Sequence, residues 1–317
     1  MSAKIIDGNA IAKKIRGELA IQAATLTAHD MKPGLSVILV GNDPASQVYV
    51  SKKIKACSEV GIESQCLRFS SSVDPSEVLA LIHNLNQDPQ VHGILVQLPL
   101  PPQFNVREIL ESISQSKDVD GFHLYNVGAL VVGQTVFPPC TPYGVQRILM
   151  HEGIVIEGKN VVVVGASNIV GKPMALMLMQ QNATISICHA KTRDLAQYTI
   201  LADILIVAAG KPALIKAEMV KTGAVVIDVG INRLADGSLV GDVDFQAVAE
   251  KASHITPVPG GVGPMTVTML LHNTVQSAQR AFENRDQAWQ ALCENDRYHF
   301  CHSDLAAPPG NQPRAVR

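Results

Sequence analysis

The chain has 317 residues, of which 47% are hydrophobic and 17% charged, with a formal net charge of −2. At about 150 residues per domain, that length suggests two domains. The near-neutral charge excludes a global field for nucleic acid or an anionic membrane. No apolar stretch approaches the roughly 18 residues that span a bilayer. The start, Met1-Ser2-Ala3-Lys4-Ile5-Ile6-Asp7-Gly8, lacks the apolar core of a signal peptide, so a cytoplasmic protein is expected. Six cysteines, at 57, 66, 140, 188, 293 and 301, show neither C-x-x-C nor zinc-site spacing. They read as small buried hydrophobes, and no metal is expected.

The first half alternates strand and helix. Residues 35–40 form a short apolar run closed by Gly41, and a helix is expected from about residue 44 to 60, stopped by Gly61. Residues 62–69 read as a second strand. Asp74-Pro75-Ser76-Glu77 opens a second helix, with Asp74 as N-cap and Pro75 in the first turn. Residues 92–98 read as a third strand, ended by the turn at 99–102. A loop-rich stretch over 117–142 marks a border between domains, and the helix after Thr141 is expected to cross it. In the second half, strands are expected over 160–165, 184–189, 203–208, 224–229 and 255–258, with helices between them. A helix over about 266–283 follows, long enough to pack back on the first domain. From 284 to 317 the periodicity is lost and a tail is expected, with one short helix around Trp289. The alternation predicts an α/β fold with parallel sheets. It consists of a substrate domain over 1–142, joined by the last helix, and a Rossmann-type domain over 143–265 with a cleft between the two.

The dinucleotide site is the turn after Val161-Val162-Val163-Val164. Gly165-Ala166-Ser167-Asn168-Ile169-Val170-Gly171 links a buried strand to a helix, so helical amides and the helix dipole face a pyrophosphate. The spacing is not G-x-G-x-x-G, and an ordinary strand-to-helix turn remains an alternative. Every later strand also ends in a polar or glycine-rich segment, on the edge where parallel sheets bind ligands. The candidate cofactor contacts are Gly165, Ala166, Ser167, Ile169, Val170 and Gly171, then His189 and Lys191, Gly210, Ile231 and Thr266. An NAD site usually holds an acid after the second strand. Here no acid precedes Asp194, while Lys191 and Arg193 can meet a 2′-phosphate, which points to NADP rather than NAD.

The substrate site starts from Ser46, Tyr49 and Lys53, one stripe if residues 44–60 are helical. Tyr49 and Lys53 by themselves read equally as the coat of an exposed helix. Gln97 and Leu98 end the third strand on the same edge. Asp120 offers a carboxylate suited to paired N–H donors such as those of a pterin, and by itself also reads as a turn residue before Gly121.

These segments resemble the bifunctional methylenetetrahydrofolate dehydrogenase/cyclohydrolase family over about residues 3–283. The matching blocks are 44–49 with Lys53, 93–101, 117–122, 140–142, 165–173, 228–232 and 257–266. The resemblance implies NADP-dependent oxidation of 5,10-methylenetetrahydrofolate to the 5,10-methenyl cation, then hydrolysis to 10-formyltetrahydrofolate. It implies a cytoplasmic homodimer acting on tetrahydrofolate one-carbon derivatives, in metabolism that feeds purine biosynthesis. By position, Lys53 matches the catalytic lysine, Gln97 its partner, Tyr49 a pterin-side tyrosine and Asp120 the pterin-anchoring acid. Ser46 lies near the lysine, and Pro259, Gly260 and Gly261 match a loop near the substrate. Some relatives carry Arg where this chain has Ala166, or Ser where it has Ala190, leaving Lys191 and Arg193 for the 2′-phosphate. A dehydrogenase without the hydrolysis and a non-catalytic dinucleotide-binding regulator are the alternative functions.

Overall fold

The computed structural model describes the backbone of residues 2–303 and the side chains of residues 2–287. The first half runs β1 (Lys4–Ile5), α1 (Gly8–Ala28), β2 (Gly34–Val40), α2 (Pro44–Val60), β3 (Glu63–Phe69), α3 (Pro75–Gln87) and β4 (Gly93–Val96), then α4 (Val106–Ser112), α5 (Leu124–Val131) and α6 (Cys140–His151). The second half runs β5 (Asn160–Val164), α7 (Gly171–Met179), β6 (Thr184–Cys188), α8 (Ala196–Thr199), β7 (Ile204–Val207), β8 (Val225–Asp228), β9 (Asn232–Arg233), β10 (Leu239–Val240), α9 (Phe245–Ala249), β11 (His254–Ile255) and α10 (Val262–Ser303). Residues up to Ala278 form one unit, and a second opens at Gln279 within α10.

Two parallel sheets carry the first unit. One has the order β3-β2-β4, with Ile38 opposite Val96. Its central strand β2 is buried at all seven positions, as a strand covered on both faces must be. The helices around it start and stop on local chemistry. Asp7 accepts the N–H groups of Asn9 and Ala10 at 2.9 and 3.0 Å to open α1, which buries Ile11, Ile15, Leu19 and Leu26. Asp43 accepts the Ser46 N–H at 2.7 Å and Pro44 fixes the first turn of α2, while Gly61 ends it at φ 84°.

The other sheet has the order β1-β11-β8-β7-β5-β6, every pairing parallel. Val161 to Val164 lie buried in β5, between β7 and the edge strand β6. All carboxyl ends therefore share one edge, the arrangement that collects ligand-binding turns.

The structure corrects several boundaries. The chain begins in the second sheet, because Lys4 and Ile5 pair with His254 and Ile255 before the first sheet is built. The domain expected over 1–142 therefore lacks its first strand. The strand expected over 92–98 is limited to Gly93–Val96; Pro99 has no N–H to extend the ladder. The loop expected over 117–142 contains α5. The last helix starts at Val262 and continues to Ser303, so the tail expected from 284 is helical that far. Residues 284–303 hold no Gly or Pro to break it. Residues 304–317 of that expected tail, and the Trp289 side chain, lie outside the described residues. Within the first unit α10 does pack on the first lobe: Asn273 Nδ2 donates to Val119 O at 2.8 Å and Ser277 Oγ to Ser116 O at 2.9 Å.

One buried group links this fold to pH. His92 Nδ1 accepts the Gly34 N–H at 3.0 Å, and Nε2 lies 3.1 Å from Met31 Sδ. Burial, aided by the Lys117 charge and opposed by Asp88, pushes the imidazole from 6.5 down to about 4. The folded state thus refuses a proton that the unfolded chain accepts. The contribution is present above pH 6.5 and is lost as pH falls toward 4, about 3 kcal/mol over the window. Urea unfolding is expected to show this loss between pH 7.5 and 4.5 and a shallower slope in His92→Asn. Equal slopes would remove His92 as the cause.

Candidate active site

The carboxyl edge of the first sheet brings Lys53 and Gln97 together. Gln97 leaves β4 with its N–H bonded to Ile38 O at 2.9 Å. Lys53 stands in the third turn of α2, and its Nζ donates to Gln97 Oε1 at 3.0 Å. The other end of the amide, Nε2, donates to Leu98 O at 2.6 Å. The side chain is fixed at both ends, with its acceptor turned to the ammonium.

Asp120 completes this cluster. Burial pushes its carboxyl above the usual carboxylate range, with the Lys53 charge opposing and Asp118 adding to the shift. The two acids of the Asp118-Val119-Asp120 segment thus part company. Asp118 is buried and accepts the His123 N–H at 2.8 Å and Asn126 Nδ2 at 2.7 Å, whereas Asp120 is half-buried and faces Lys53 electrostatically. The loop that carries Asp120 is pinned from other elements. Asn273 Nδ2 bridges Val119 O and Pro138 O at 2.8 and 3.0 Å. Cys140 Sγ donates to Val119 O at 3.3 Å, its thiol raised well above the ordinary range by burial and then by the Asp120 carboxylate. Gly121 has φ 79°, and a Cβ there would lie 2.7 Å from Phe137 O.

The α2 stripe is present. Ser46 is buried, and Tyr49 and Lys53 are half-buried. Burial pushes the Tyr49 phenol upward against the opposing Arg233 charge, so the hydroxyl remains a donor. A cavity of about 400 Å3 opens beside Tyr49. Pro259, Gly260, Gly261 and Ile231 line it, together with Arg16 of α1, whereas Lys53, Gln97, Ser46, Leu98 and Asp120 do not. Tyr49, four residues before Lys53 on the same helix, is the member of the stripe that lines the cavity. α1 reaches the cavity because Gly8 lies against Gly261 O, where a Cβ would collide.

On the second sheet, the β5 turn is built around two glycines. Gly165 has φ 123°, and a Cβ would collide with Ala208 O; a Cβ on Gly171 would collide with Gly165 O. Ser167 Oγ accepts the N–H groups of Val170 and Gly171 at 3.1 and 3.4 Å and so caps α7. Ser167 and Ile169 are exposed and Ala166 is half-buried. This narrow turn ahead of a helix N-terminus fits a pyrophosphate. His189 and Lys191 are exposed beyond β6, and Gly210 beyond β7 has φ 65°. Thr266 Oγ1 lies 3.0 Å from Thr141 Oγ1, tying α10 to α6. Among the described residues, no group of three His, Cys, Asp or Glu could hold a metal, and no helix is long and apolar enough to cross a membrane.

The sequence reading passed over the acids beneath the cofactor side. Asp242 is buried and accepts the N–H groups of Ala209, Gly210 and Lys211 at 2.6, 2.8 and 2.8 Å, and Asn232 Nδ2 at 2.8 Å. Asp228 accepts the N–H groups of Gly230, Asp242 and Val243 at 3.0, 3.0 and 2.9 Å. Burial pushes its carboxyl up to about 6 against those three bonds, with Asp242 adding to the rise. Gly241-Asp242-Val243-Asp244 reads as turn chemistry, and nothing in its spacing announces a carboxylate that collects three successive amides. Arg16 was likewise unseen, because α1 had not been recognised.

Known proteins resemble this chain over most of its length. The tetrahydrofolate dehydrogenase/cyclohydrolase catalytic domain matches residues 6–120, and the NAD(P)-binding domain of the same family matches residues 139–282. The bifunctional protein FolD of Geotalea uraniireducens is 59% identical over 278 residues, covering 88% of this chain and 99% of that protein. The crystal structure of the bifunctional FolD methylenetetrahydrofolate dehydrogenase/cyclohydrolase from Campylobacter jejuni superposes with a TM-score of 0.87 at 54% identity, covering 88% and 99% of the two chains. The Trypanosoma brucei methylenetetrahydrofolate dehydrogenase-cyclohydrolase, solved with NADP and an inhibitor, gives 0.87 at 39% identity, covering 89% and 99%. With both domain matches in chain order and relatives of this identity aligned over most of its length, the chain belongs to the tetrahydrofolate dehydrogenase/cyclohydrolase family.

Proposed function

We propose that the protein oxidises 5,10-methylenetetrahydrofolate with NADP and hydrolyses the resulting 5,10-methenyl cation to 10-formyltetrahydrofolate. The Lys53–Gln97 bond at 3.0 Å, beside Asp120, carries the reading. Asp120 takes the paired N–H donors of the pterin, and Tyr49 offers a face to its neighbouring ring. NADP, bound along the β5 turn, would accept a hydride from the one-carbon bridge. The folate nitrogen lone pair drives that departure, so the protein's part is alignment. Hydrolysis asks more, since water must lose a proton as it attacks. The Lys53 amine accepts that proton while Gln97 holds it in line, and a proton returned to N5 lets the C–N5 bond break, leaving the carbon on N10 as the formyl group. NADP is favoured over NAD because Lys191 and Arg193 stand exposed after β6. The first acid there, Asp194, instead accepts the N–H groups of Ala196 and Gln197 at 3.1 and 3.4 Å.

The reading includes a cytoplasmic homodimer. The four described cysteines are free thiols. β6 is an edge strand with Ile187 exposed, an edge that a second copy would cover. Sedimentation as a monomer would remove the dimer.

Absorbance traces of tetrahydrofolate, formaldehyde and NADP with the enzyme test the chemistry. NADPH is expected to form while the methenyl signal decays faster than it does without enzyme. A methenyl species that persists would leave a dehydrogenase only, and no NADPH would overturn the reading.

A further inference from the structure

One wall of the cavity and one turn of the dinucleotide sheet are held by the same carboxylate. The hairpin of β9 (Asn232–Arg233) and β10 (Leu239–Val240) follows the end of β8, and Ile231 and Leu239 line the 400 Å3 cavity beside Tyr49. Its strands have two residues each, and so short a ribbon is not stable by itself. Residues 233–238, which join the strands, are exposed. The order of this wall therefore rests on the root of the hairpin.

At that root Asn232 Nδ2 donates to Asp242 Oδ1 at 2.8 Å and to Val240 O at 3.4 Å. The same Oδ1 accepts the Lys211 N–H at 2.8 Å, and Oδ2 accepts those of Ala209 and Gly210 at 2.6 and 2.8 Å. Of these four donors Asn232 alone is a side chain, and it alone comes from the hairpin. Asp242 is anchored in turn, since its own N–H donates to Asp228 Oδ1 at 3.0 Å. A Cβ on Gly230 would collide with the Asp242 carboxylate, and one on Gly241 with that of Asp228. The chain at the cavity wall and the two acids are thus packed too closely to move independently.

We propose that Asn232 is a positioning residue that couples the two ligands. NADP seated at the 209–211 turn fixes the Asp242 carboxylate, which through Asn232 holds the hairpin wall in the form that receives the folate. This rests on the folate and NADP reading above. Both ligands then prefer the rooted hairpin over the released one, which is the differential affinity that coupling requires. Linkage makes the effect reciprocal, so the folate tightens NADP by the same factor.

The test uses tetrahydrofolate, which lacks the one-carbon bridge and transfers no hydride. Its Kd is measured with and without saturating NADP. NADP is expected to lower that Kd about five- to tenfold in the wild type. In Asn232→Ala the two values should come within about twofold of each other, while NADP alone binds as in the wild type because Asp242 keeps its three backbone donors. A purely structural role would weaken both binary complexes and leave the ratio unchanged. Hydrogen exchange of residues 232–240 gives a second reading that needs no variant: NADP alone should slow it in the wild type. Equal Kd values with and without NADP in the wild type, or unchanged exchange, would overturn the coupling while the folate reading stands. The full ratio kept in Asn232→Ala would also overturn it, by assigning the effect to direct contact between the ligands. Binding of neither tetrahydrofolate nor NADP would overturn both.

Discussion

Replacing Lys53 by methionine is expected to abolish hydrolysis of the methenyl cation, which needs its proton transfer, and to lower dehydrogenation by about 100-fold through loss of alignment at the one-carbon bridge. NADP affinity should change less than about twofold, because the dinucleotide turn belongs to the other sheet and shares no hydrogen bond with Lys53. Methionine keeps the length and apolar stem of lysine, so loss of packing is a poor explanation for a large effect. Lys53→Gln separates position from proton transfer: its amide can still donate to Gln97 Oε1 but accepts no proton at neutral pH. Partial recovery of dehydrogenation without hydrolysis in that variant is the expected pattern. Cyclohydrolase rates near wild type in Lys53→Met, measured as decay of the methenyl absorbance, would end the acid–base assignment.

Much of this site was legible because its parts sit at fixed offsets within strong local signals. Asp43, Pro44 and Gly61 bound α2 where their types require, and that fixes Ser46, Tyr49 and Lys53 on neighbouring rows. The apolar run through Val96 places Gln97 at a strand end. What stayed hidden depends on partners distant in sequence. Lys4–Ile5 is too short to show a period and is a strand only because β11 lies beside it. Asp118 and Asp120 are the same residue type two positions apart. Only Asn126 and the His123 amide show which one is occupied by structure. The end of α10 was misplaced because loss of apolar periodicity was read as loss of helix, although propensity alone can extend one. The cavity wall needed both α1 and α2, and Arg16 lies on the helix that was not seen.

Asp242 shows how far a residue of turn-like sequence can matter. Its carboxylate receives four donors, three of them the successive N–H groups of Ala209, Gly210 and Lys211. A row of amides is an anion site, here filled by the protein's own acid, which holds the turn containing Gly210 in place. Asp242→Ala would remove a buried acceptor from four donors whose own residues stand exposed or half-buried, a cost of about 1–3 kcal/mol. The midpoint of thermal unfolding should then fall by roughly 2–12 °C. NADP affinity should drop more than folate affinity, since the loosened turn lies at the carboxyl edge of the dinucleotide sheet. Asparagine is no remedy, because its NH2 group would face donors, and only a group that accepts at both oxygens fits. Asp242→Asn should therefore resemble Asp242→Ala more than wild type. Calorimetry and paired titrations with NADP and a folate ligand decide it. An asparagine variant with wild-type melting and NADP binding would show that one acceptor suffices and that the carboxylate does not hold the turn.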